Sequence, residues 1–297
     1  MDHFLPPRPV ENNPAFDRYG SDVPAHPIVL SIPHAGRSYD SDLLARARVG
    51  PEVLRRLEDR WADLLALPLI ERGYSVVVAR APRAMIDLNR HEREVDPGMV
   101  TGLPREMALR TSQKLRGGLG LIPRRLAGAA ELWRGPLPWA EVARRIDTVH
   151  RPYHAVLDRL LKAARDAHGH AILIDLHSMP PLPPAAAGRM SPSLVLGDRF
   201  GQTAAARLTT LAGDVAAGHG FLAAQNHPYA GDHMIERHGK PAHAIHALQV
   251  EIDRAFYLDI ALEQPGPGLA RMQALVSALA EALANDLPRA DFAMAAE

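Results

Sequence analysis

The sequence predicts an α/β sandwich with a largely parallel central sheet. Three observations carry this. Short apolar, β-branched runs recur at 27–32, 74–79, 170–177, 193–197 and 247–252. Segments with helical apolar spacing separate most of them. No linker or internal repeat divides the chain, so 27–297 reads as one domain behind an extended N-terminal arm over 1–26.

The elements follow in order. The arm carries Pro6, Pro7, Pro9, Pro14 and Pro24 and shows no periodic pattern. Pro27–Ile32 is a buried strand, closed by Pro33-His34-Ala35-Gly36, where Pro and Gly force a turn. Val53, Leu54, Leu57, Trp61, Leu64 and Leu65 repeat at helical spacing over 51–72, with Gly73 as a stop. Tyr74–Ala79 is a second buried strand and Ala84–Leu88 a third short extended segment. Residues 97–138 are loop-like. A helix follows over 139–150, Pro152 bends or restarts it, and the spacing resumes through Val156, Leu157, Leu160 and Leu161. His170–His177 is a strand with a polar end, and the proline-rich 179–192 is a loop or lid. Then come a strand at Ser193–Gly197, a helix over 200–213, a histidine-bearing loop over 218–239, a strand at Ala247–Ile252 and an amphipathic helix over 267–286.

Composition narrows the chemistry. The 297 residues include 15 histidines and no cysteine. Thiolate zinc sites, iron–sulfur clusters, disulfides and a cysteine nucleophile are therefore excluded, and any metal must sit on imidazole and carboxylate. Lys+Arg and Asp+Glu balance at 34 each, which argues against a dedicated nucleic-acid binder. Lys114, Lys162 and Lys240 are the only lysines among those cations; the rest are arginine, suited to bidentate carboxylate binding, although base composition accounts for most of them. No apolar run reaches the roughly 18 residues of a membrane helix, and the N-terminus lacks a signal-peptide pattern. The default expectation is a cytoplasmic enzyme or binding protein.

In open α/β sheets, sites form at the carboxyl ends of the strands, and four segments here end in residues that can do chemistry. His34 at its strand–turn junction suits a metal ligand and equally a turn cap. In Asp175-Leu176-His177-Ser178 the period of two puts Asp175 and His177 on one face, as ligand and orienter or as a plain buried hydrogen bond. Asp87-Leu88-Asn89-Arg90 offers an amide and a guanidinium as a fork for a carboxylate, or a surface ion pair. In Gln249-Val250-Glu251-Ile252-Asp253-Arg254 a buried Glu251 would have a raised pKa suited to general-base work, or would pair with an arginine. His227, His233, His238, His243 and His246 form a dense patch whose spacing fits no standard ligand pattern.

Taken in order, Ser-x-Pro-His-Ala-Gly (31–36), Asp-Leu-Asn-Arg (87–90), Arg-Pro-Tyr-His (151–154), Asp-Leu-His-Ser (175–178), Asn-His-Pro-Tyr-Ala-Gly (226–231) and Leu-Gln-x-Glu-Ile-x-Arg-x-x-Tyr (248–257) resemble the N-formylglutamate amidohydrolase (deformylase) family. The resemblance implies a three-layer α/β/α sandwich with a mixed, largely parallel sheet, similar to zinc carboxypeptidases and related deacylases. It implies His34 and His177 as zinc ligands, Asn89 and Arg90 as the grip on a substrate carboxylate, and Glu251 as general base. Arg37 stands three residues after His34, where those enzymes carry a ligating glutamate. The third ligand is then Asp59 or Asp63, one helical turn apart, or neither if they form a solvated acidic face. Arg83, Arg145 or His154 would stabilise the oxyanion. Asn226 and Gly231 would belong to a substrate-contacting loop, with Gly231-Asp232 where the family has Gly-Gly. Asp87 suits orienting a histidine. The implied reaction is zinc-dependent hydrolysis of a small N-acyl amino acid, N-formyl-L-glutamate to formate and glutamate, in histidine breakdown. The other readings are a carboxypeptidase, another N-acyl amino acid deacylase, or a carboxylate-binding protein without turnover. The expected partner is a small carboxylate, not nucleic acid or membrane; oligomeric state is not specified.

Overall fold

The computed structural model describes residues 7–126, 128, 131–183 and 191–286. Its centre is an eight-stranded sheet. The strands are β1 (Glu11–Asn13), β2 (Phe16–Tyr19), β3 (Ile28–Ile32), β4 (Ser75–Ala79), β5 (Ala171–Met179), β6 (Leu194–Gly197), β7 (Ala223–Gln225) and β8 (Ile245–Asp253). Their spatial order is β1-β2-β4-β3-β5-β8-β6-β7. β4, β3, β5 and β8 run parallel, while β6 is antiparallel to β8 and the β1–β2 hairpin joins β4 antiparallel, so the sheet is mixed.

Helices cover both faces, which is why the central strands read as continuous apolar runs. The longer helices are α1 (Arg151–His168), α2 (Ala206–Gly218) and α4 (Leu269–Asp286), with the short α3 (His233–His238) between the last two. Val29, Val77, Leu173 and Ala247 pack with Tyr153, Leu157 and Leu160 of α1. Their neighbours Leu30, Val76, Ile174 and Leu248 face the other way, against Leu208 of α2 and Leu275 and Leu279 of α4. The result is a three-layer α/β/α sandwich.

The alternation also builds the site. On the α1 face the side chains turn polar towards the carboxyl ends: Ser31 on β3, Asp175 and His177 on β5, Gln249 and Glu251 on β8. The parallel register aligns them, with Ser31 beside Asp175, Asp175 beside Gln249, and His177 beside Glu251.

Several expectations change. Residues 1–26 are not simply an arm: residues 11–19 form the hairpin that extends the sheet edge, because Phe16 and Tyr19 reach opposite cores. Ala84–Leu88 forms turns rather than a strand; Ala84, Ile86 and Leu88 are buried in the core on the α1 side, with Met85 half-buried against it. The helix expected over 51–72 breaks at Glu58–Trp61, where Trp61 takes a left-handed φ of 58°. Pro152 does not interrupt the helix beginning at Trp139; a π-turn over Ile146–His150 carries it into α1 and absorbs the missing N–H. The helix expected from 200 begins at Ala206, after a turn with positive φ at Arg199, Phe200 and Gly201. Residues 218–239 contain β7 and α3 rather than loop alone. Residues 184–190 of the expected lid lie outside the described residues. No described helix is long and apolar enough to cross a membrane.

Candidate active site

Two strand ends and one helix break converge. His34 follows β3 in a turn pressed against the Arg80–Ala81 backbone, where Gly36 has no room for a Cβ: one would lie 2.1 Å from the Ala81 carbonyl oxygen. His177 points from β5 on the α1 face. Asp59 reaches in from the broken helix, its backbone N–H donating to the His34 carbonyl at 3.0 Å. His34, Asp59 and His177 are all buried, and one ligand atom from each lies within 4.8 Å of the others.

The two imidazoles are oriented alike. Each directs Nε2 at a carboxylate, His34 to Asp87 Oδ1 at 2.8 Å and His177 to Asp175 Oδ2 at 2.9 Å. Each directs Nδ1 at Asp59 Oδ2, at 3.5 Å from His34 and 3.0 Å from His177. His34 Nδ1 is buried with no hydrogen-bond partner among the described residues. Burial disfavours the His177 cation, but Asp175 and Asp59 outweigh it and hold the imidazole well above its usual range. Burial likewise raises Asp59, and the bond from His177 together with the nearby His34 ring overcomes that and keeps it ionised. Two carboxylate-backed imidazoles facing a buried carboxylate are a donor set that fits a divalent metal, which would take the place of the proton between them.

Beside this group Glu251 lines the same cavity, whose volume is about 200 Å³. Burial raises its carboxyl to about 7, against the pull of His177 and with help from Asp59. Gln249 donates to Glu251 Oε1 at 3.0 Å, and Asn89 donates to Gln249 at 3.4 Å. The cavity wall also carries the cations Arg56, Arg83, Lys114 and Arg254. Arg83 donates to Asp87 at 2.8 Å. Arg254 donates to the Ser178 carbonyl at 3.2 Å and stands 3.7 Å from Asp59 Oδ1, and its Nε is buried with no hydrogen-bond partner among the described residues. Lys114 stands over the Tyr229 ring at 5.3 Å from its centroid.

The remaining sequence candidates lie elsewhere. Asp63 is bound by Arg37 at 2.8 and 2.7 Å, outside the group, because the break at Glu58–Trp61 takes it off the face of Asp59. Arg90 is not on the cavity wall: it is 2% exposed, and its guanidinium is held by the Leu119 and Asn89 carbonyls and by Asp232 at 3.1 Å. Asp232 itself lines the cavity, and Arg90 Nη2 is buried with no hydrogen-bond partner among the described residues. Arg145 bonds Glu141 and the Met85 carbonyl, facing a separate cavity beside Tyr39 and Thr148. Asn226 holds Asp198 at the β6–β7 end. Gly231 packs on Ile235, where a Cβ would sit 2.1 Å from Cδ1, and φ is +98°. Its neighbours Tyr229 and Asp232 are the ones that reach the cavity. His154 lies beneath the cavity, against the Leu88 carbonyl at 3.0 Å. Sequence reasoning gave no role to Arg254, Tyr229 or Lys114. The first two stand inside motifs already noted, and the third is one of only three lysines.

A profile described as N-formylglutamate amidohydrolase matches residues 26–258. The N-formylglutamate deformylase of Pseudomonas putida is 31% identical over 243 residues, covering 78% of this chain and 82% of that protein. That of Pseudomonas aeruginosa is 28% identical over 246 residues, with the same two coverages of 78% and 82%. The crystal structure of N-formylglutamate amidohydrolase from Ralstonia eutropha JMP134 superposes with a TM-score of 0.82 at 32% identity, over 91% of this chain and 97% of that one. With most of its length matched, and the convergent strand ends on the matched part, the chain belongs to the N-formylglutamate amidohydrolase family.

Proposed function

We propose that this chain is a zinc-dependent amidohydrolase that converts N-formyl-L-glutamate and water to formate and glutamate. The observation that carries the reading is the buried His34–Asp59–His177 group with Glu251 beside it on one small cavity. The names of the two deformylase relatives support the substrate. His34, His177 and Asp59 would hold the ion, with Asp87 and Asp175 fixing the two rings. Zinc bound there would polarise the amide carbonyl and lower the pKa of a nearby water.

The protein's own groups do the rest. Glu251 accepts the proton of the attacking water and returns it to the departing amine nitrogen, a task that a carboxyl near 7 performs in both directions at neutral pH. Gln249 keeps the carboxyl aimed. Arg83 faces the developing oxyanion. Arg254 and Lys114, with Arg56, hold the substrate's carboxylates away from the scissile bond. A cavity of about 200 Å³ accommodates a single acylated amino acid.

The test is formate release from N-formyl-L-glutamate, with Glu251→Gln alongside. The variant is expected to fold and to lose about 10²–10⁴ in kcat. Undiminished turnover in the variant removes Glu251 as the base, and no formate from the parent chain removes the substrate.

A further inference from the structure

Beneath the segment Asp87–Arg90 lies a second group of histidines that the proposed chemistry does not use. His150 closes the π-turn, His154 follows one turn later on α1, and His233 opens α3. All three are buried, and one nitrogen from each lies within 4.8 Å of the others. Ring centroids are 4.5 Å apart for His150–His154, 5.4 Å for His154–His233 and 6.0 Å for His150–His233.

The ring nitrogens are arranged as in a metal site. His150 Nε2 donates to the Arg90 carbonyl at 2.8 Å, which leaves Nδ1 as a bare lone pair, and that atom is buried without a partner. His154 Nε2 donates to the Leu88 carbonyl at 3.0 Å, which leaves its Nδ1 as acceptor too; His238 Nε2 meets it at 2.9 Å. Neither nitrogen of the buried His233 has a hydrogen-bond partner among the described residues, and Glu236 Oε2 lies 3.7 Å from its Nδ1. A ligating histidine usually gives its other N–H to a carbonyl or carboxylate, and a buried polar atom without a partner is rare and costly.

We propose that His150, His154 and His233 form a second metal site for a borderline divalent ion such as zinc, the ion displacing His238 from His154 Nδ1. Burial keeps all four imidazoles neutral, with His150 lowered to about 4 and His233 to about 2, so their lone pairs are available. An all-imidazole set favours zinc, nickel or copper over magnesium or calcium. The nearby Arg237 opposes a cation while Glu92 and Asp87 favour one, so the site is weaker than one with a carboxylate ligand. The ion would act on the first cavity through the backbone. His154 and His150 hold the carbonyls on either side of Asn89, and Met234, next to His233, donates its N–H to Asn89 Oδ1 at 2.7 Å.

The experiment titrates the metal-free full chain with Zn²⁺ and Co²⁺, counting bound ions by elemental analysis and following the visible absorption of tetrahedral Co²⁺. Two ions per chain are expected, falling to one in His233→Gln, one in His177→Gln and none in the double variant. His150→Gln repeats the His233 result should that variant fail to fold. A single ion that survives His233→Gln and His150→Gln but is lost in His177→Gln overturns the proposal. A single ion with the opposite dependence supports this site and removes the first. Two ions retained in both His233→Gln and His150→Gln overturn it as well.

Discussion

Trp61 holds a left-handed backbone with φ 58°, and the kink decides what its two neighbouring aspartates face. Asp59 turns inward to two imidazoles, while Asp63 turns to Arg37 and the solvent side. Asp59→Asn is therefore expected to lose the bound metal and its turnover. Asp63→Asn, breaking a part-exposed pair, should keep both and cost about 1 kcal/mol or less, read by metal analysis and urea unfolding. A helical period in one sequence cannot show such a break, so the two aspartates looked equivalent there. Arg90 and Arg254 divide in the same manner. The fork Asn89-Arg90 is visible as a motif, whereas the pairing of its guanidinium with Asp232, nearly half of the chain further on, is not. Arg254 lines the cavity, with Asp59 3.7 Å from its Nη2 and a buried Nε that has no hydrogen-bond partner among the described residues, and is the anion holder proposed above. Arg254→Ala should raise KM for N-formyl-L-glutamate about 10–100-fold, the weight of one charged hydrogen bond, with a much smaller change in kcat. An unchanged KM would return the role to its neighbours.

The elements were legible in proportion to how locally they are determined. The strands β3, β4, β5 and β8 are buried on both faces, so each is an uninterrupted apolar run and each stood out. The polar ends of β5 and β8 stood out for the same reason, as exceptions within such runs. The hairpin β1–β2 did not, because its strands have 3 and 4 residues and owe their form to pairing with β4. Phe16 shows what that pairing is worth: it has no exposed surface and meets Tyr153 edge-on at 5.8 Å. Phe16→Ala is expected to destabilise the chain by about 3–5 kcal/mol in urea unfolding, as for other buried phenylalanines. An arm lying outside the core would give a value near zero. The histidine-bearing stretch before β8 was misread for a related reason. α3 has only 6 residues, too few for a period, and His233 finds its neighbours His150 and His154 in the π-turn and on α1, far away in sequence.

Across the whole molecule, catalytic candidates and core share one lattice. The α1 face carries Leu173 and Ala247 at the amino ends of β5 and β8, then Asp175, His177, Gln249 and Glu251 at the carboxyl ends, with no change of direction between them. The backbone thus has a parity that works like a two-letter frame. One residue inserted after Ala247 would send Gln249 and Glu251 into the apolar layer under α2 and α4 and put Leu248 and Val250 in their places on the cavity side. Two inserted residues would restore the parity and move the carboxylate along the strand by about 7 Å. The single insertion should abolish soluble folded protein. The double insertion should recover soluble yield and a cooperative melt but no formate release. An ordinary surface loop would tolerate either length alike; here odd and even insertions should separate folding from turnover.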